Sequence, residues 1–378
     1  MNGRPLMYPS TENLRCWAEI DLSAIRHNAR VAAHLAGPGA GIMAIVKANA
    51  YGHGLPEVVD ALRDLVSMFG VANVDEAEVV RATLGSPTPP VFILGPALPA
   101  ERPAIVAARF IPAISTVAEA AAYSSLVTGA PLPVHLAIDT GMGRMGIAEE
   151  SALAVIADIA NLPGLTVTGI ATHLPVADED AQYTHDQSVR FQAILSRLRP
   201  SPPQVHSLNS AALLQFPPAA GTLVRAGLML YGASPLPEYQ SRLRPALTLK
   251  TRITLVRDVP AGHGISYGRT FITPHPMRVA TLAIGYADGF NRHLSNQGAD
   301  VLIRGHRCAL LGRVTMDQVM ADVSYVSEAA IGDEAILIGS SGNAQILAGE
   351  LAAKAGTIAW DIFTGIGPRV DRVYHRGV

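Results

Sequence analysis

From Gly41 to Tyr231 the chain alternates short, nearly unbroken apolar runs with longer stretches whose apolar residues recur at helical spacing. The apolar runs are Gly41–Val46, Met68–Ala72, Pro90–Leu94, Phe110–Ser115, Leu132–Ile138, Leu165–Thr172, Gln204–Leu208 and Thr222–Arg225, eight in all. A strand covered on both faces has no solvent side to mark with polar residues, so such runs suit a parallel sheet wrapped by helices. Segments such as Leu55–Leu65 and Asp186–Leu198 supply the helical spacing between them. Eight strand-then-helix units predict an α/β fold of the (β/α)8 TIM-barrel type, with a doubly wound open sheet as the alternative, since pattern alone does not establish closure.

After Pro235 the texture changes. Leu247–Val256, Arg278–Ile284 and Ala335–Ile338 read as strands separated by Gly and Pro turns, and Asn343–Ala353 reads as a helix. The expected organisation is a barrel over residues 1–240 and a mostly β C-terminal domain over 241–378. The opening strand-like segment Cys16–Leu22 lies outside the eight units and is a candidate to join the C-terminal domain.

Composition narrows the function classes. Apolar residues make up 49% and charged residues 16%, enough for a sizeable core, and the net charge of −2 with no basic run gives no nucleic-acid footprint. Two cysteines far apart, Cys16 and Cys308, form no metal-ligand cluster. Met1–Arg15 is polar with two prolines and lacks an apolar signal core, and no apolar run approaches a membrane span, so a cytoplasmic location is expected.

In a barrel, functional groups gather at the C-terminal ends of the strands. Lys47 closes the first run, Asp139–Arg144 follows the fifth, and His173 ends the sixth. Asn209 and Ser210 follow the seventh, and Arg225 ends the eighth, ahead of Gly227 and Leu228. Read singly, each has an ordinary explanation: a solvent-reaching lysine stem, a helix cap at Asn209-Ser210, a rim ion pair at Arg225. Read together, they place cationic and polar groups on one rim.

The stretch Ala44-Ile45-Val46-Lys47-Ala48-Asn49-Ala50-Tyr51-Gly52-His53-Gly54 resembles the cofactor signature of the alanine racemase family. The resemblance continues through His135-Leu-Ala-Ile-Asp139-Thr-Gly-Met-Gly-Arg144, Ala171-Thr-His173, Leu208-Asn209-Ser210-Ala211 and Val224-Arg225-Ala-Gly227-Leu228. It ends in the C-terminal half with Gly264-Ile-Ser-Tyr267-Gly268 and Gly312-Arg-Val-Thr-Met316-Asp317-Gln318.

The resemblance implies a pyridoxal 5'-phosphate enzyme that interconverts L- and D-alanine, and through the family a role in supplying D-alanine for the cell wall. Lys47 corresponds to the lysine that holds the cofactor. Tyr51, Asn209, Ser210, Gly227 and Leu228 correspond to contacts with the phosphate and the pyridine ring. His173 corresponds to the histidine under the ring, and Arg225 to the partner of the ring nitrogen. An arginine only donates, so it would leave that nitrogen unprotonated and the ring a weaker electron sink. Racemisation needs a base on each face of Cα, and Lys47 and Tyr267 are the implied pair. Arg144 with the backbone of Met316 would hold the substrate carboxylate. The resemblance further implies a homodimer with shared active sites, Tyr267 and Met316 reaching the partner's barrel. Tyr286, Arg292 and Asp178 match residues at the family's site entrance.

The sequence departs from the family pattern in two places. Ala137 stands where many members carry a carbamylated lysine that orients the substrate arginine, so an anion or an acidic side chain from elsewhere is expected beside Arg144. Pro368 stands near the place of a tyrosine that restricts the substrate pocket. A broader amino-acid racemase, for example one acting on serine, is therefore the first alternative. A related decarboxylase is disfavoured by Arg225, and a non-enzymatic cofactor carrier by the long C-terminal half.

Overall fold

A computed structural model describes residues 11–85, 88–216 and 222–376. The chain divides into two compact units, Ile25–Ala50 with Leu55–Arg244, and Met1–Ala24 with Tyr51–Gly54 and Pro245–Val378. Most of the polar stretch Met1–Arg15 read for a signal segment, residues 1–10, lies outside the described residues.

Strand β1 (Cys16–Asp21) opens the chain. The first of the two units then holds β2 (Gly41–Ile45), β3 (Met68–Val71), β4 (Val91–Ile93), β5 (Ile111–Ile114), β6 (Leu132–Asp139), the short β7 (Ile147–Ala148), β8 (Leu165–Ala171), β9 (Gln204–His206) and β10 (Leu223–Ala226). All eight expected barrel strands are present, each within two residues of the apolar run that predicted it. They pair in parallel in the order β10-β2-β3-β4-β5-β6-β8-β9, with β7 beside β6. Between the end strands, Thr222 N–H donates to the Val205 carbonyl at 3.0 Å and Arg225 N–H to the Leu208 carbonyl at 2.9 Å. The sheet is thus a nearly closed barrel, and the open-sheet alternative falls away.

Strands β3, β5 and β10 are buried at every position, which is why their sequences show no alternation. Helices begin soon after the strands on side-chain caps: Asn73, Thr116 and Asp180 accept from the N–H of Glu76, Glu119 and Tyr183. Each such cap is worth about 1 kcal/mol and fixes where the chain turns off the rim. The barrel interior is partly aromatic. Phe92 lies 4.9 Å from the His135 ring centroid and 5.4 Å from that of His206.

The second unit is mostly β. Its strands are β1, β11 (Leu247–Val259), β12 (Gly264–Ile265), β13 (Phe271–Ile272), β14 (Met277–Leu282), β15 (Asp300–Ile303), β16 (His306–Leu311), β17 (Val319–Asp322), β18 (Glu334–Ser341), β19 (Ala344–Ile346) and β20 (Asp371–His375). A nine-stranded sheet runs β19-β18-β15-β16-β17-β14-β11-β1-β20, and a further β18–β11 pairing closes six of these strands into a ring. Strand β1 pairs antiparallel with β11, Cys16 opposite Thr251, and parallel with β20.

The helix expected over Asn343–Ala353 is half right. Gly342 turns at φ +57° and sends Ala344–Ile346 back as an edge strand, and the helix starts only at Ala348. Among the described residues no helix is long and apolar enough to cross a membrane. Cys16 and Cys308 are free and buried.

Candidate active site

Lys47 follows β2 directly and opens a single left-handed turn: Ala48, Asn49, Ala50 and Tyr51 have φ of 52°, 53°, 53° and 53°. For L-residues this conformation costs roughly 1–2 kcal/mol each, so the surroundings must hold it. The Glu76 carboxylate accepts from Ala48 N–H at 2.7 Å and Ala72 N–H at 2.8 Å, and Asn49 Oδ1 accepts from Leu55 N–H at 2.8 Å. The Lys47 amine is half-buried. Burial first, and then the Arg144 charge, push its pKa below the usual lysine value, with Glu76 opposing.

Arg225, on β10, is the centre of the rim. Its Nη1 donates to the His206 carbonyl at 2.7 Å and to His206 Nδ1 at 2.9 Å. Its Nη2 is shared among the carbonyls of Thr172 and Ser207, both at 2.8 Å, and His173 Nδ1 at 3.1 Å. Guanidinium has no lone pair to offer, so every imidazole nitrogen it touches is the unprotonated one. His206 therefore carries its hydrogen on Nε2 and donates to His135 Nδ1 at 3.0 Å. His173 likewise carries its hydrogen on Nε2.

One arginine thus sets the tautomers of three histidines. All three are kept neutral. Burial, then Arg225, Arg144 and Lys47, lower His173 to about 3. Burial lowers His135 to about 4, and burial followed by Arg225 and His135 holds His206 well below the imidazole range. Burial and Arg144 lower Arg225 itself to about 10, so it keeps its charge at neutral pH.

Among the described residues no carboxylate pairs with Arg225, and its Nε–H has no acceptor. A buried cation with one spare donor and the Arg144 charge near it fits an anionic ligand that presents a ring nitrogen lone pair. The donor set beside it fits a phosphate. Ser210 Oγ accepts from Gly227 N–H at 2.9 Å and Met229 N–H at 3.4 Å, just where a 3-10 helix begins at Leu228. The first N–H groups of such a turn have no acceptor within the turn itself, and Ser210 Oγ gathers two of them. Asn209 caps its helix through Ala212 N–H at 3.0 Å and donates to the Leu174 carbonyl at 2.9 Å, so it fastens the ends of β8 and β9.

Arg144 is exposed and lies near enough to Lys47, His173 and Arg225 to depress all three. A cavity at the barrel mouth is lined by Arg144, Ala137, Met142, His173, His206 and Arg225. No acidic side chain among the described residues forms an ion pair with Arg144, so the acidic alternative for the missing lysine is not met there. Asp178 is exposed on the segment after His173.

The remaining candidates belong to the other unit. Tyr51 is buried, and burial raises its phenol to about 12, which keeps it a neutral hydrogen-bonding group. Tyr267 and Met316 are 69% and 52% exposed. Tyr267 sits between Ser266 at φ +62° and Gly268 at φ +74°, and Ser266 Oγ donates to the Arg313 carbonyl at 2.6 Å. The Met316 turn rests on Gly285, where a Cβ would stand 2.3 Å from the carbonyl oxygens of Thr315 and Met316. Asp288 accepts from Gly285 N–H at 2.9 Å and pairs with Arg369 at 3.1 Å, and Arg369 also reaches Asp317 at 2.9 Å. Tyr286 and Arg292 are exposed, and Pro368 lies exposed next to Arg369.

Sequence reasoning missed the left-handed turn, the histidine pair behind Arg225, and a polar helix face behind Arg144. The last had a signal, since Tyr183, Gln187 and Arg190 recur at helical spacing.

Comparison with known proteins matches these two regions to two family models. Residues 20–235 match the alanine racemase N-terminal domain and residues 246–374 the alanine racemase C-terminal domain. Curated alanine racemases of Desulfosudis oleivorans and Carboxydothermus hydrogenoformans are 40% and 41% identical, covering 96% and 95% of this chain and 97% and 99% of theirs. A solved alanine racemase from E. faecalis is 34% identical with a TM-score of 0.89, covering 96% of this chain and 98% of that one. One from Bartonella henselae with covalently bound pyridoxal phosphate is 26% identical with a TM-score of 0.88, covering 96% of this chain and 99% of that one. With both halves matched in order and nearly the whole length covered, the chain belongs to the alanine racemase family.

Proposed function

We propose that this protein is an alanine racemase that interconverts L-alanine and D-alanine with pyridoxal 5'-phosphate as cofactor. The observation that carries the reading is the Arg225 cluster: a buried, donor-only cation with one unused N–H, beside a lysine whose amine is biased toward its neutral, nucleophilic form. Bound there, the cofactor supplies an electron sink that acidifies the substrate Cα–H. Lys47 is its covalent anchor, and Tyr51, Ser210 and the backbone of Gly227 and Leu228 hold its phosphate. Asn209 positions Ser210, and His173 packs against the ring. Because Arg225 donates and is not a proton source at neutral pH, it would leave the ring nitrogen of a bound cofactor unprotonated, which would favour proton return over side reactions.

Arg144 and the Met316 backbone bind the substrate carboxylate. The Lys47 amine moves a proton at Cα on one face, and the phenol of Tyr267 moves one on the other. The exposure of Tyr267 and Met316 supports a homodimer in which Tyr267 of the partner subunit completes each site. We place the cofactor-binding barrel in residues 1–240 and the β domain in 241–378, with β1 packed into the latter. A cytoplasmic location is proposed with this activity.

The test is a visible-absorbance band for bound cofactor together with a D/L-alanine assay. A protein that binds the cofactor without converting either enantiomer overturns the reading. Ala137 at the barrel mouth and Pro368 in place of a restricting tyrosine favour one second reading, a racemase with broader side-chain tolerance. Assay of serine and longer amino acids decides between them.

A further inference from the structure

The loop that carries Arg144 has almost no freedom of its own. Asp139 ends β6, and its carboxylate accepts from the N–H groups of Gly141 at 2.9 Å, Met142 at 2.8 Å and Gly143 at 3.0 Å. The carbonyls of the same loop are taken by one helix, Ala181–Leu195. Tyr183 Oη donates to the Gly141 carbonyl at 2.8 Å, and the Arg190 guanidinium donates to the Thr140 carbonyl. Arg190 also pairs with Glu149 at 3.1 Å, so one side chain clasps the loop at its start and again beyond its end. Between them, the fully buried Gln187 donates to Thr140 Oγ1 at 3.4 Å and to the His173 carbonyl at 3.3 Å. Thr140 Oγ1 in turn meets Thr172 Oγ1 at 2.7 Å.

Positions 183, 187 and 190 lie on one face of a helix. A helix packed on a barrel normally turns apolar residues inward, and Phe191 and Ile194 do so here. The polar trio is a departure, and each of its members reaches the Arg144 loop or the His173 strand end. Gly141 shows how close the fit is: at φ +133°, a Cβ there would stand 2.2 Å from Tyr183 Oη.

We propose that Tyr183, Gln187 and Arg190 are positioning residues that set carboxylate affinity by holding the Arg144 loop. The proposal rests on Arg144 being the carboxylate ligand. With Ala137 lining the same cavity, Arg144 has no ion-pair partner among the described residues, so the loop backbone is what fixes its direction. Tyr183 and Arg190 bond the loop and Glu149 rather than the residues proposed to hold the cofactor, whereas Gln187 reaches the His173 carbonyl.

The test uses the holoenzyme with alanine as substrate and propionate as a carboxylate probe. Tyr183→Phe and Arg190→Gln should each raise KM for both enantiomers about fivefold, the effect of losing one hydrogen bond, and the pair together more than tenfold. Propionate inhibition should weaken by the same factors, with kcat and the cofactor absorbance unchanged. A double variant with KM and propionate affinity within twofold of the parent overturns the proposal, as does a rise in KM matched by loss of cofactor. Arg144→Gln separates the two levels. If it leaves propionate affinity unchanged, the assignment of Arg144 fails. If it weakens propionate while the helix variants do not, only the positioning role fails.

Discussion

The barrel rim and the loops of the β unit solve different problems. At the rim, Arg225 is buried, each nitrogen it touches is fixed, and three histidines take their tautomers from it. In the β unit the backbone is held as tightly, through Gly285, Asp288 and Arg369, yet the side chains it presents stand in solvent, Tyr267 at 69% and Met316 at 52% exposure. The Arg225 cluster is built from residues of its own unit. The β unit offers a rigid mount for exposed side chains.

The largest expected effect follows from the rim being self-contained. Lys47→Ala should abolish the visible absorbance of bound cofactor and lower racemisation about a thousandfold or more, because no second amine stands at that strand end. Full activity in this variant would remove Lys47 from the mechanism. Tyr267→Phe tests the other side. Exchange of the Cα proton should fall by about a hundredfold or more from one enantiomer and much less from the other. Equal, mild losses would make Tyr267 a packing residue and dissolve the contrast between an inert mount and a working group.

Stability probes come next. Gly285→Ala would press a methyl group between two backbone carbonyls 2.3 Å away, and about 3 kcal/mol of destabilisation is expected in urea unfolding. Gly169→Ala would meet the His135 ring at 2.5 Å, a side chain rather than backbone, so about 1–2 kcal/mol is expected. The reverse order would mean that the rim is the less compliant region.

The last probe is a pH slope, which sums over three rings. The folded pKa values of His135 and His173, about 4 and about 3, lie below the 6.5 of a free imidazole, and burial holds that of His206 well below it too. Below pH 6.5 the unfolded chain binds protons that the fold refuses, so stability is fully present above 6.5 and falls as pH drops. The loss is at most about 1.4 kcal/mol per pH unit per histidine. Denaturation at pH 7 and pH 5 measures it, and equal free energies at both would show these rings to be hydrated.

The eight barrel strands were legible because burial on both faces removes polar residues from them. The Asn343–Ala353 boundary was not, since a three-residue edge strand such as β19 is too short to show a period. The site was legible where residue type and strand end coincided, as at Lys47, His173 and Arg225. His135 and His206 were silent because a histidine in an apolar run reads as core until its partner across the barrel is known. The trio on Ala181–Leu195 was visible as a spacing, but polar residues on a helix ordinarily mean a solvated face. Ala48 and Ala50 gave no warning at all, because alanine carries a Cβ and does not mark a left-handed backbone as glycine or asparagine does.

That turn has a consequence for chemical synthesis. A residue of the opposite hand prefers the backbone angles that Ala48 and Ala50 are forced to adopt. Ala48 is exposed, so its D-enantiomer, introduced by peptide ligation, would relieve roughly 1–2 kcal/mol of strain without disturbing any packed neighbour. Ala50 is fully buried, and the same replacement there would swing its methyl group out of a filled space, exchanging one penalty for another. At position 48, next to the lysine on which the proposed chemistry turns, this chain is shaped for the mirror-image form of the amino acid it carries.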